Sequence, residues 1–291
     1  MNDPAAVEAR FGAIDQAYSR LAATAPPERR WLLIQTLASV GPRRTLLRSL
    51  PIRAGLRILD MGCGFGASTL EVAALAATRV VGIDTDRPVL AVARTALGDA
   101  GRAGGVDPGA SVGFAAGDAY RLPFPDRSFD LVFSRFVFQH LADPARAATE
   151  VARVLVAGGM ACIVDVDDGL SISEPAPSAA FERLAAALRA SQTAAGGDRR
   201  IGRRLAGLLD QAGLSPNPVL VLPQAAYHRP EPGDAERALM LERLGAARAG
   251  IVGGGHMTAS AFDADLAAFA REEPGPTCEI EAHLAVLATR R

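Results

Sequence analysis

Residues 59–66 read Leu-Asp-Met-Gly-Cys-Gly-Phe-Gly, with Ala67 next, and this run constrains the fold more than any other. It closes a short apolar stretch, Arg57-Ile58-Leu59-Asp60-Met61, and opens a helix-patterned one, Ser68 to Ala77. Glycines at 62, 64 and 66 let the chain turn tightly and let a ligand come close to the backbone. From Gly62 the run fits G-x-G-x-x-A, a variant of the dinucleotide-binding fingerprint. About twenty residues on, a second apolar stretch ends in Asp84, whose carboxylate can accept hydrogen bonds from two ribose hydroxyls. A nucleoside-containing ligand at the edge of a parallel sheet is the expectation. The glycines alone do not say which one.

The rest of the chain keeps the same alternation. Helix patterns at Pro88 to Ala100 and Pro144 to Leu155, the latter led by Asp143 as N-cap, separate strand patterns at Ser111 to Ala115, Phe129 to Ser134 and Met160 to Val166. Strands alternating with helices at this pace imply βαβ units and a parallel sheet. Residues 7–50 are helical in pattern, with breaks at Pro26-Pro27 and Gly41-Pro42. After Asp168 the spacing predicts helices at Phe181 to Ser191 and Ile201 to Gln211, a strand near Val219 to Leu222, a helical insertion over 231–271 and a last strand at Glu279 to Ala288.

Composition narrows the chemistry. The 291 residues carry a net charge of −1, which gives nucleic acid no electrostatic footing. No apolar run reaches the length of a membrane span. The Met-Asn-Asp-Pro start lacks the basic-then-apolar pattern of a secretory signal, so a cytoplasmic setting is expected. Cys63, Cys162 and Cys278 show neither metal-ligand spacing nor a disulfide framework, and no metal site is expected. All 31 basic residues are arginine, which excludes a Schiff-base lysine, a P-loop lysine and a lysine base.

The downstream motifs decide between ligands. Val-Gly-Ile-Asp at 81–84, Gly-Asp-Ala at 117–119, Leu-Pro-Phe-Pro-Asp-Arg-Ser-Phe-Asp at 122–130, Gln-His-Leu-Ala-Asp-Pro at 139–144 and Glu-Val-Ala-Arg-Val-Leu-Val-Ala-Gly-Gly at 150–159 follow the glycine run in order. Over residues 55–168 the chain resembles the class I S-adenosylmethionine-dependent methyltransferases of the small-molecule type, such as those of ubiquinone and menaquinone biosynthesis. One departure is Ala157, where that family usually has proline before the two glycines.

The resemblance implies an α/β fold with a Rossmann-like seven-stranded sheet in three α/β/α layers. Residues 1–50 would form an N-terminal helical lid, and 51–291 the methyltransferase domain, with 231–271 as a second lid. It implies S-adenosyl-L-methionine as cofactor and a small-molecule methyl acceptor, with a homodimer possible. Gly62, Cys63 and Gly64 would wrap the methionine part, with Asp60 behind them arranging the ammonium group. Asp84 would bind the ribose with Thr85 beside it. Asp118 and the Ala119 N–H would meet the adenine, and Ser134 would supply a carbonyl. Arg135 and Phe136 would lie at the floor of the acceptor cavity.

Methyl transfer from a sulfonium needs alignment and exclusion of water more than it needs acid or base. His140, just past the fourth strand, is the candidate base. Asp165, Asp167 and Asp168 are expected to cap a loop at the ligand edge. His256, after three glycines, is expected in a flexible loop leading to a helix that starts at Ser260. Tyr18, Trp31, His228 and His283 are expected to pack or lie on the surface. An O-methyl transfer in bacterial natural-product tailoring is the expected activity. Its rivals are a cyclisation or rearrangement that uses the bound cofactor only as a charge, a nicotinamide-dependent oxidoreduction, and a non-enzymatic partner role.

Overall fold

The computed structural model describes residues 3–229, 235–273 and 275–291. Three helices come first, α1 (Pro4–Thr24), α2 (Pro27–Ala38) and α3 (Val40–Ser49). Pro27 sits at the first position of α2, where its missing N–H costs nothing. Gly41-Pro42 does not break the chain as expected; both lie in the first turn of α3, where proline is tolerated, and the break falls at Ser39.

The alternating part follows: β1 (Arg57–Met61), α4 (Ala67–Leu75), β2 (Arg79–Asp84), α5 (Arg87–Arg102), β3 (Ser111–Ala116), β4 (Phe129–Arg135), α6 (Pro144–Val154) and β5 (Leu155–Val166). Asp86 and Asp143 cap α5 and α6, accepting from the Val89 and Arg146 N–H groups at 3.1 and 3.0 Å. β5 starts earlier than expected because it runs through Gly158, which takes a positive φ of 74°, instead of starting after it. The remainder is β6 (Ile172–Glu174), α7 (Ala179–Ala194), α8 (Leu205–Gln211), β7 (Leu214–His228), α9 (Ala235–Gly253), α10 (Ala259–Arg271) and β8 (Thr277–Arg290). Residues 231–234 of the expected insertion lie outside the described residues.

The sheet has eight strands where seven were expected, in the order β3-β2-β1-β4-β5-β8-β6 with β7 also paired to β8. A strand has two edges. β7 occupies one edge of β8 along its whole length, so β5 and β6 share the other, β5 against Thr289–His283 and β6 against Ile280–Cys278. β6 is therefore a short continuation of the β5 column, and the seven-column frame persists. β1 to β5 are parallel and β8 is antiparallel to β5. Ile58, Leu59 and Met61 of β1 are fully buried, as both faces of a central parallel strand must be.

This topology decides where the late helices go. β5 ends at Val166 opposite His283, yet β7 and β8 continue as a ribbon to His228 and Thr277. The ribbon projects past the carboxyl edge of the parallel strands and carries α9 and α10 there. α9 packs on α2 and α7, and a small core of Leu184, Leu244, Ile251 and Phe262 holds these helices together. Thr258, not Ser260, caps α10, accepting from the Ala261 N–H at 3.2 Å. α1 lies against α4 and α5 through Phe11, Ile14 and Leu70.

Candidate active site

The turn between β1 and α4 is fixed by backbone. The N–H groups of Gly62 and Cys63 both donate to the Ile83 carbonyl at 2.8 Å, and that of Gly66 donates to the Cys63 carbonyl at 2.8 Å. Gly62 has φ 72°, and a Cβ there would lie 2.2 Å from Val137 Cγ2. The loop is thus pressed onto the segment after β4 on one side. At Gly64, φ 52°, a Cβ would meet nothing within 4 Å, so the other side is open.

The polar groups around the turn are arranged by these bonds. Asp84 ends β2, and its carboxylate oxygens accept from the Gly64 and Asp86 N–H groups, each at 3.0 Å. Each oxygen keeps a lone pair for a hydroxyl group. Asp118 lies two residues beyond Ala116, the register partner of Asp84, with its exposed carboxylate set by the Tyr120 N–H at 2.9 Å. Thr85 is exposed beside them. Asp60, 2% exposed, accepts from the Thr69 hydroxyl at 2.5 Å, and burial raises its pKa to about 6. The Cys63 thiol is inert: burial pushes its pKa up, and it lies against Gly82. The Ser134 hydroxyl donates to the Met61 carbonyl at 2.9 Å and pins β4 to β1. An open glycine turn beside two carboxylates, on the ends of the next two strands, suits a nucleoside-bearing ligand.

The opposite side of the cavity is made of side chains. Phe136, just after β4, has φ 61°, a strained setting for a bulky residue. It is held by its N–H donating to the Val164 carbonyl at 2.9 Å and by edge contact with the His283 ring at 4.7 Å. Arg135 lies over the Phe136 ring, its Cζ 3.9 Å from the centroid. Next, Asp165, Arg199 and Gln192 fasten the turn Phe138–His140. Asp165 accepts from the Gln139 N–H at 3.1 Å, Arg199 donates to Gln139 Oε1 at 2.9 Å, and Gln192 Nε2 lies 3.3 Å from His140 Nδ1.

The expected residues thus gather at one edge, with changes of role. Asp167 and Asp168 are engaged by Arg203 at 2.6 Å and Arg199 at 2.8 Å, and no metal-binding cluster occurs among the described residues. His140 stands at the rim. Crowding by protein atoms, then Arg199 and Arg243, lower its pKa, so it is neutral at pH 7. His256 ends α9 through its N–H to the Ile251 carbonyl at 3.0 Å. Tyr18, expected to pack, is 1% exposed and also donates its hydroxyl to the Phe65 carbonyl at 2.7 Å, joining α1 to the glycine turn. His283 is no surface residue; burial, then Arg135 and Arg199, lower its pKa to about 4. Gln192, Arg199 and Arg243 were not singled out by sequence, since no local pattern links residues of α7, the loop after it and α9.

Comparison with known proteins agrees with this geometry. Residues 59–163 match the family described as methyltransferase domain. The chain is 36% identical over 135 residues to methyltransferase GfsG of Streptomyces halstedii, covering 46% of each chain. It is 35% identical over 132 residues to 27-O-demethylrifamycin SV methyltransferase of Amycolatopsis mediterranei, covering 45% of this chain and 46% of that one. The chain thus spans about half the length of the curated relatives it matches. The YcgJ protein of Bacillus subtilis shares the fold, with a TM-score of 0.55 at 19% identity over 86% of this chain and 98% of that one. Motif order, strand order and family match converge on one segment: residues 59–163 match a methyltransferase domain, set in an α/β fold shared with a solved relative of that name.

Proposed function

We propose that this protein transfers a methyl group from S-adenosylmethionine to a small organic acceptor, as an O-methylation in natural-product tailoring. The observation that carries the reading is the open turn at Gly64 with Asp84 and Asp118 beside it on the next two strands, at an edge near which α2, α7 and α9 meet. The bound cofactor supplies an activated sulfonium methyl. The chain's own work is to hold the ribose at Asp84 and Thr85, the adenine at Asp118 and Ala119, and the amino-acid end at Asp60, Gly62, Cys63, Gly64 and the Ser134 carbonyl. Residues 1–50 and 231–271 act as lids that exclude water. Relatives named as O-methyltransferases, the rifamycin one among them, support the acceptor class.

His140 takes the proton from the acceptor hydroxyl in this proposal, through the ring nitrogen not engaged by Gln192. Loss of a general base costs about 10²-fold or more in turnover, whereas loss of a packing residue at this rim leaves turnover nearly unchanged. A screen of phenolic and polyketide acceptors by product mass, with wild type and His140→Asn, tests both parts. Gain of one methyl group per product supports transfer; an altered product of unchanged mass moves the reading to a rearrangement. A cytoplasmic setting and a homodimer belong to the same proposal, and size-exclusion chromatography reads the second directly.

A further inference from the structure

Arg135 is partly buried and still protonated at neutral pH, although burial lowers its pKa to about 9. Among the described residues it donates no hydrogen bond and forms no ion pair; its one close partner is the Phe136 ring. The carboxylates near it are already engaged. Glu71 holds Arg43 at 2.6 Å and Arg44 at 2.8 Å. Asp165 accepts from the Val166 and Gln139 N–H groups at 2.9 and 3.1 Å. A guanidinium stripped of part of its hydration and left without a carboxylate is costly, and a ring face offsets only part of that cost.

The strand pleat shows what the group faces. Arg135 shares a face of β4 with Phe133, whose neighbours in the core are Val164, Ala285, Leu220 and Leu222. His283 pairs with Leu222 and Glu281 with Gln224, so these residues continue that face toward the carboxyl edge. There Gln224 Nε2 is a second buried donor with no hydrogen-bond partner. Glu281 answers to Arg199 and Arg243 rather than to Arg135. β4 and β7 lie three strand spacings apart, roughly 14 Å. One face of the sheet, toward its carboxyl edge, therefore has an unspent cation on β4 and an unspent donor on β7.

The geometry points to Arg135 as a carboxylate-binding subsite in the acceptor chamber, selecting an acceptor that carries an anionic group apart from the hydroxyl it methylates. This rests on the proposed methyl transfer. A carboxylate reaches this chamber from two sources, the acceptor or the amino-acid end of the cofactor. The acceptor is favoured because Arg135 turns to Phe136 and His283, on the β8 side of β4, while Asp84 and Asp118 lie on the β2 and β3 side.

Calorimetric titration of the purified full chain separates the sources. S-adenosylhomocysteine and 5′-methylthioadenosine, which lacks the carboxylate, probe the cofactor end. Benzoate and its neutral isostere benzamide, added to protein saturated with S-adenosylhomocysteine, probe the acceptor end. The expected result is benzoate bound about tenfold more tightly than benzamide. Arg135→Gln then loses that preference and keeps its affinity for S-adenosylhomocysteine. The variant without ligand also melts about 2 °C higher, because an uncompensated charge is gone; an arginine with a merely structural role gives a lower midpoint. If Arg135→Gln instead weakens S-adenosylhomocysteine and not methylthioadenosine, the subsite stands and its carboxylate is the cofactor's. No preference for benzoate in the wild type, with unchanged S-adenosylhomocysteine binding in Arg135→Gln, overturns the subsite. The cofactor reading survives that outcome if Asp84→Ala still abolishes S-adenosylhomocysteine binding. If the wild type binds no S-adenosylhomocysteine, the reading of the whole site falls and the subsite with it. Should Arg135→Gln fail to fold, the wild-type preference between benzoate and benzamide decides alone.

Discussion

The two sides of the cavity are built on different principles. The glycine-turn side, residues 57–84, is backbone: positive φ angles, N–H groups aimed at one carbonyl, and a single carboxylate at each of two strand ends. The opposite side is side chain: Arg135, Phe136, His140, Gln192, Arg199, Arg243 and His283 come from four elements and two loops. Backbone geometry tolerates almost no change, so that side suits a ligand common to many enzymes. A wall of side chains from distant elements can be rebuilt residue by residue, so it suits the ligand that differs between enzymes. The difference predicts where substitutions abolish binding outright and where they change its selectivity.

The joint between the N-terminal helices and the glycine-turn side is the first place to break this. Arg43 and Arg44 of α3 both reach the fully buried Glu71 of α4, and Arg44 also reaches Asp15 of α1 at 2.6 Å. Glu71→Ala leaves the buried Arg43 guanidinium without a carboxylate and Arg44 with Asp15 alone, at a cost of about 3–5 kcal/mol. The expected outcome is a melting midpoint lower by roughly 10 °C in differential scanning calorimetry. Glu71→Gln, which keeps the shape, recovers part of it. An unchanged midpoint in Glu71→Ala means that the N-terminal helices are not tied to the core through this carboxylate.

Next in size is Gly62→Ala. The new methyl group meets Val137 Cγ2 at a φ of 72°. Titration with S-adenosylhomocysteine is expected to show binding weakened about 100-fold, the effect of displacing a positioned group by about an ångström. Gly62→Ala with Val137→Ala removes the clash but not the φ strain, so recovery is partial. Full recovery shows that the backbone side is less exacting than the comparison holds.

Legibility in the sequence followed the same division. Strands β1 to β5 and the glycine turn were readable because each rests on local rules: a period, a cap, a φ that only glycine adopts easily. Asp143 was readable as an N-cap for that reason. The errors came where tertiary structure overrode a local signal. Gly41-Pro42 reads as a break yet sits in a helical turn, and β7 reads as four residues because nine more pair only by virtue of β8. β6 has only three residues and exists because β8 outruns β5. Asp60, Asp84 and Asp118 stand where motif spacing put them. His283 was passed over because its place beside Phe136 depends on the antiparallel pairing of the last strand, which no local pattern encodes.

A smaller effect separates the two sides by pH. Burial raises Asp60 to about 6 and Asp165 to about 7, so the folded chain holds protons that the unfolded chain releases near pH 4. Stability of the free protein from these two groups is complete below pH 4 and falls as pH rises through 7. Denaturant melts at pH 5 and 7.5 read this as a lower midpoint at the higher pH, and Asp165→Asn flattens the upper part. Affinity for S-adenosylhomocysteine runs the other way, falling about tenfold per unit below pH 6 as Asp60 takes up a proton. On the acceptor side His283, at about 4, stays neutral throughout, and Asp165 alone carries the stability trend there.

The smallest effect tests whether α1 is merely packed or is bonded to the turn. Tyr18 is fully enclosed, and its ring fills the space between α1 and Phe65. Tyr18→Phe keeps the ring and removes only the bond to the Phe65 carbonyl. That carbonyl then lacks a donor in a dry place, at a cost of about 1–2 kcal/mol. The expected outcome is a midpoint lower by about 3 °C. A second reading follows from where the bond lands. Phe65 lies between Gly64 and Gly66, so loosening it frees the part of the turn that Asp84 holds from the other side through the Gly64 N–H. S-adenosylhomocysteine binding is then expected to weaken by about threefold, a small coupling energy. A lower midpoint with unchanged affinity makes Tyr18 a part of the core alone. Loss of both together makes α1 a support of the glycine turn, and ties the side-chain-built cover to the backbone-built side through one hydroxyl group.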